Sequence, residues 1–115
     1  MNRIQIEELY NKVIETQSTV ERKGKTMPYT SLNGHMTSFL SKEGRVGLRL
    51  SPKDLNEVMD KYDAPLMVQH ERTMKEFVDV PQSLLEDTPL LRRYFEKSLQ
   101  YVSGLKPKSN NKKKS

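Results

Sequence analysis

The dipeptide Asn33-Gly34 constrains this chain more than any other pair of residues. Both residues tolerate the positive φ that a type I′ turn demands, and short segments of mixed apolar and polar residues flank them. The step therefore predicts a two-residue β-hairpin. Lys42-Glu43-Gly44-Arg45 reads as a second, looser turn, so a three-strand meander is predicted over 26–32, 35–41 and 45–50. Pro28 has no N–H to give to a ladder, which places the first strand at an edge or interrupts it there. Strict alternation along the second strand puts His35, Thr37 and Phe39 on one side and Met36, Ser38 and Leu40 on the other. Neither side is cleanly polar.

Upstream of the meander, Ile6, Leu9, Tyr10, Val13 and Ile14 recur at helical spacing, which predicts an amphipathic helix over 4–17 with Glu7 and Glu8 in its first turn. Downstream, Ser51-Pro52-Lys53-Asp54 has the order of a helix start: a capping hydroxyl, proline at the first helical position and an acid near the orphan amides. Leu55, Val58, Met59 and Tyr62 form the apolar stripe of that helix, which ends at Asp63-Ala64-Pro65. Leu66 to His70 and Met74 to Val80 read as strands joined by a turn at Glu71-Arg72-Thr73. After Pro81 comes a helical turn over 83–86. Thr88-Pro89 then opens the strongest helix, carrying Leu91, Tyr94, Phe95, Leu99 and Val102 to a stop at Gly104.

The order α-β(3)-α-β(2)-α selects an α+β fold, with a five-stranded antiparallel sheet covered by helices mainly on one face. The other face is left for water, a ligand or a partner, and a second subunit would suit it. One domain over 1–105 fits the length, followed by a basic tail over 106–115 that has nothing to bury and is expected to be disordered.

The formal net charge is +5, and its placement decides what it implies. Lys106, Lys108, Lys112, Lys113 and Lys114 supply five of the 20 basic residues, which leaves 15 in the body against all 15 acidic ones. A folded nucleic-acid-binding domain clusters basic residues to displace counterions from phosphates, and a neutral body shows no such surplus. Weak nucleic-acid association is therefore expected only through the tail, which lacks aromatic residues for base stacking. No apolar run approaches the ~20 residues that span a bilayer, so no membrane association and a cytoplasmic location are expected. With no cysteine in the chain, thiolate metal sites, thiol nucleophiles and disulfides are excluded.

Several of these segments together resemble a known family. KGKTMPYTSLNGHM, GLRLS, MKEFVDVP and LLEDTPLLRRYFEKSLQYVSGLKPK are similar to the TfoX N-terminal domain family, the part shared by the bacterial TfoX/Sxy regulators of natural competence. The resemblance spans residues 4–108. It implies a fold like that of secretion chaperones and a regulatory, protein-binding role, here as a stand-alone domain without the second domain of the full-length regulators. It brings no catalytic residues with it.

Candidate chemistry concentrates at 24–36. Tyr29, Ser31, Asn33 and His35 would form a ligand or partner site if the hairpin brings them together beside apolar surface. Catalysis by His35 would further need a positioned nucleophile and an orienting partner, and the sequence offers neither, so no enzyme activity is expected. His70 and Glu71 lack a ligand spacing with His35, so no metal is expected. Gly24-Lys25-Thr26 imitates the end of a phosphate loop, but Thr19 stands where the earlier glycine belongs and a strand follows, not a helix. No cofactor is expected. The reading is a protein-interaction module acting as a homodimer, with a nucleic-acid-associated regulator as the alternative and a small-ligand protein or enzyme third.

Overall fold

The turn chemistry at Asn33-Gly34 has the expected effect: both residues take positive φ, 55° and 81°, and join β1 (Tyr29–Leu32) to β2 (His35–Leu40). A computed structural model describes residues 1–107 of the chain. The expectations for Lys108, Lys112, Lys113 and Lys114 lie outside the described residues. The remaining elements are α1 (Arg3–Ile14), β3 (Val46–Arg49), α2 (Pro52–Tyr62), β4 (Leu66–Gln69), β5 (Arg72–Asp79), α3 (Gln82–Leu85) and α4 (Thr88–Ser103). The five strands form one sheet in the order β1-β2-β3-β5-β4, antiparallel at every junction. The fold is α+β, as the element order predicts.

Alternation along the central strands sorts the side chains into two layers. Leu40, Val46, Leu48, Val78 and Val80 point toward the helices and meet Tyr10, Val13 and Ile14 of α1, Leu55 and Val58 of α2, Leu84 and Leu85 of α3, and Leu91, Tyr94 and Phe95 of α4. Every helix contributes to this core. On the opposite face Phe39, Met67 and Phe77 form a second cluster with Tyr29, Met36 and Met74 packed around it, and no helix residue takes part. The helices therefore lie on one side of the sheet, and α4 crosses β1, β2 and β3.

The helix ends follow from local sequence. Asn2 caps α1 in a reciprocal box with Gln5, so α1 starts at Arg3 and Glu7 and Glu8 fall beyond its first turn, where the dipole effect fades. The helix also stops at Ile14, short of the predicted 17. Ser51 caps α2 with Pro52 in the first turn, and Asp63 ends it in the left-handed conformation at φ 52°. Asp87 caps α4 through the Leu90 amide at 3.2 Å, and Gly104 closes it.

Two register breaks shape the helix-free face. Thr30 pairs with Ser38 but Ser31 pairs with Met36, so Thr37 is an extra residue in β2. Such a bulge reverses which side the following residues face. Met36 therefore joins Phe39 on the helix-free side, contrary to strict alternation, while Thr37 turns inward and shares a 2.6 Å hydrogen bond with the Thr30 hydroxyl. The second break lies in the outer hairpin, where Leu66 pairs with Val78 but Met67 pairs with Met74. Lys75, Glu76 and Phe77 thus have no partners on β4, and β5 bends through them. The turn of this hairpin is His70-Glu71, both at positive φ of 52° and 65°, one residue ahead of the predicted Glu71-Arg72-Thr73. Among the described residues no helix is long and apolar enough to cross a membrane.

Candidate functional site

In a flat sheet β5 would lie three strand spacings from β1, about 14 Å away. The bend at Lys75–Phe77 removes that separation. Gln69, His70 and Met74 of the outer hairpin instead line the same depression as Met27, Tyr29, Met36 and Phe39, a groove of about 320 Å³ on the helix-free face. Its floor is apolar. Phe39 and Phe77 stack at a tilt beneath it, with ring centroids 5.8 Å apart, and both are almost wholly buried. Gly47 makes room for Phe39: a Cβ at position 47 would stand 2.5 Å from the edge of that ring.

The walls are held from both sides. Lys23 and Tyr29 exchange both backbone hydrogen bonds at 2.9 Å, which draws the 24–28 loop along the outer edge of β1. Gly24 takes φ 79° in that loop, with no room for a side chain against the Met27 carbonyl. Arg3 fastens the loop to α1 by donating to the Thr26 carbonyl at 2.8 Å. On the other wall, Arg49 pairs with Glu76 at 2.6 Å and lies over the Phe77 ring, while Tyr101 donates to the same carboxylate at 3.0 Å. The bent part of β5 is thereby anchored to β3 and to the end of α4.

The four predicted site residues do not converge. Tyr29 lines the groove, and Ser31, paired with Met36, lies on the same face. Asn33 is spent on the turn. His35 is on the other side of the bulge and donates from Nε2 to the Lys106 carbonyl at 2.8 Å, tying the chain after α4 to the first hairpin. Lys106, the first residue of the predicted tail, is therefore tied through its backbone while its side chain is exposed.

Apart from Tyr101, which anchors the β5 wall, the shifted titratable groups lie away from the groove. Burial pushes the Asp79 carboxyl above the usual carboxylate range, partly offset by Arg45 at 3.1 Å, beside a small cavity of about 130 Å³ under α1 and α3. Burial also raises the Tyr10 hydroxyl, which shares a 2.7 Å hydrogen bond with Ser38. Tyr94 is pushed up to about 12, first by desolvation and then by its hydrogen bond to Glu57. Desolvation, followed by Glu76, raises Tyr101. Each of these tyrosines stays protonated at neutral pH and serves the packing between helix and sheet.

Among the described residues no three His, Cys, Asp or Glu side chains gather into a metal-holding cluster. His70 lines the groove, whereas His35 is turned toward α4. Gly24-Lys25-Thr26 leads to a strand, with no helix N-terminus to receive a phosphate.

Met27, Met36, Phe39, Gln69 and Met74 were not singled out as site residues by sequence reasoning, and His70 was weighed only as a metal ligand. The available signal was the distribution of methionine: of six in the chain, Met27, Met36, Met67 and Met74 meet on this face. Such a concentration of flexible thioethers is typical of adaptable binding surfaces. Comparison with protein-family models, curated proteins and solved structures gave no match.

Proposed function

We propose that this chain is a non-enzymatic protein-binding module of the TfoX N-terminal type, which engages a regulatory partner through the helix-free face of its sheet. The observation that carries this reading is the apolar groove of about 320 Å³ lined by Met27, Tyr29, Met36, Phe39 and Met74. Exposed apolar surface costs solubility and is kept where something covers it. The lining is apolar apart from Tyr29, Gln69 and His70, which supports a role in contact. The resemblance supports the same class: MKEFVDVP forms β5 and its exit, and LLEDTPLLRRYFEKSLQYVSG runs through α3 and α4.

A photo-crosslinking residue in place of Tyr29 tests this reading in cells. A discrete protein adduct is expected that persists when the chain is cut after Leu105 and disappears with Met36→Glu. Absence of an adduct, or one insensitive to Met36→Glu, would refute it. The second reading, a nucleic-acid-associated regulator, draws on the excess lysine charge, which lies entirely beyond Leu105. It requires binding that falls steeply with salt and vanishes with the same truncation.

A further inference from the structure

We propose that the groove takes an apolar segment of a different protein flanked by acidic residues, an inference that rests on the protein-binding reading above. The floor specifies the apolar part. Met27, Met36 and Met74 are half-buried, and their unbranched thioethers can repack around an incoming aliphatic or aromatic side chain.

The rim specifies the charge. Lys23 and Lys25 stand on the loop that forms one wall, next to Tyr29 and Met27. Arg72 stands on the other wall, because it is the cross-strand partner of Gln69, which lines the groove. Among the described residues these three cations, like several others on the surface, have no carboxylate within salt-bridge reach. The adjacent Glu71 lines a neighbouring depression with Glu43 and Arg45, which shares Gln69 and His70 with the groove. An apolar groove between unpaired cations is complementary to a segment that is apolar in the middle and acidic at its ends.

The same rim argues against the other occupants. The chain's own end, from Lys106 onward, is basic and would meet like charge. A second copy related by a two-fold axis would set Lys23, Lys25 and Arg72 against themselves. Single-stranded nucleic acid would find the cations but only Tyr29 and His70 as accessible rings, since Phe39 and Phe77 are 3% and 8% exposed.

The test uses the full chain and two labelled synthetic peptides with the same apolar centre of leucine, isoleucine and phenylalanine, one flanked by glutamates and the other by lysines. Fluorescence anisotropy should show the glutamate peptide binding about tenfold tighter, the sum expected from a few exposed pairs of ~0.2–1 kcal/mol each. Added salt should shrink that preference. Arg72→Glu should narrow it, and Met36→Glu should abolish binding of both peptides. Met74→Ala, a milder change in the same floor, should weaken both if Met36→Glu fails to fold.

Equal binding of the two peptides would overturn the inference about charge while leaving the protein-binding reading intact. Sedimentation as a dimer that Met36→Glu converts to a monomer would do the same, naming a second copy as the occupant. Binding of oligothymidine, or of the neutral dye N-phenylnaphthylamine, without either peptide would overturn both.

Discussion

Replacing Gly47 by alanine separates the packing of this sheet from its intrinsic propensity. The backbone at position 47 is ordinary strand, so alanine meets no conformational barrier, and on propensity alone it should stabilise by ~0.5–1 kcal/mol. The opposite is expected. The added Cβ would stand 2.5 Å and 2.9 Å from two atoms of the Phe39 ring. That ring is 3% exposed and packed with Phe77 and Met67, so it cannot swing away without opening the second cluster. Overpacking of a well-filled site costs ~1–3 kcal/mol, and disturbing the tilted Phe39–Phe77 pair adds ~0.5–1.5 kcal/mol. After the propensity gain, Gly47→Ala should cost about 2 kcal/mol, or about 10 °C in Tm. Urea unfolding followed by far-ultraviolet circular dichroism measures it. In a Phe39→Leu background the same change should cost much less, since the shorter side chain vacates the space. A Gly47→Ala protein as stable as the parent would refute the reasoning, because the ring would then not be held across position 47.

Three further changes probe other parts of the structure. Asp79 has a raised folded pKa, so its ionisation opposes folding: its stability contribution is full below the unfolded carboxylate range and is lost as pH rises through the folded value. Asp79→Asn should therefore raise Tm at pH 7, and the gain should vanish in acid; a gain independent of pH would contradict this. Replacing His70-Glu71 by Asn-Gly relieves two non-glycine residues at positive φ and should stabilise by about 1–2 kcal/mol in chemical denaturation, whereas no gain would mean the turn is not strained. Tyr10, Ser38, Thr30 and Thr37 share a buried chain of hydroxyl hydrogen bonds at 2.6 to 2.7 Å. Ser38→Ala removes the hydroxyl that both Tyr10 and Thr30 share and should cost ~1–3 kcal/mol, more than Tyr10→Phe, which leaves Ser38 its Thr30 partner.

The legible parts of this fold were those governed by local chemistry. Asn33-Gly34 could be read because a type I′ turn needs those residue types, and Ser51-Pro52 because caps are local. The outer hairpin turn was misplaced because His70 and Glu71 carry none of the usual turn signals; they adopt positive φ because the Gln69–Arg72 pairing closes a two-residue hairpin around them. The bulge at Thr37 was equally silent. A threonine in a strand looks the same whether it continues the alternation or breaks it, and what decides is the pairing of its hydroxyl with Thr30 inside the helix-side core. The bulge breaks the alternation at Thr37, so Met36 shares the face of Phe39 and His35 faces away from Tyr29. The candidate site was therefore drawn around the turn when the surface features meet further along the hairpin.

The departures from a regular sheet share one location. The bulge at Thr37 turns Met36 outward, the bend at Lys75–Phe77 carries Met74 and His70 across the face, and Gly47 lets Phe39 lie flat between them. The bulge also seats the Thr37 hydroxyl against Thr30 on the helix side, but neither the bend nor Gly47 is needed to close that layer, which Leu40, Val46, Leu48, Val78 and Val80 supply. Each departure also carries a cost: an unpaired ladder position, strand residues left without a partner, or a side chain forgone in a strand. That these costs converge on one surface supports the proposal that the surface is used for contact. The groove's position on the helix-free face, where the irregularities coincide, is thus an argument for its use that does not depend on the identity of any partner.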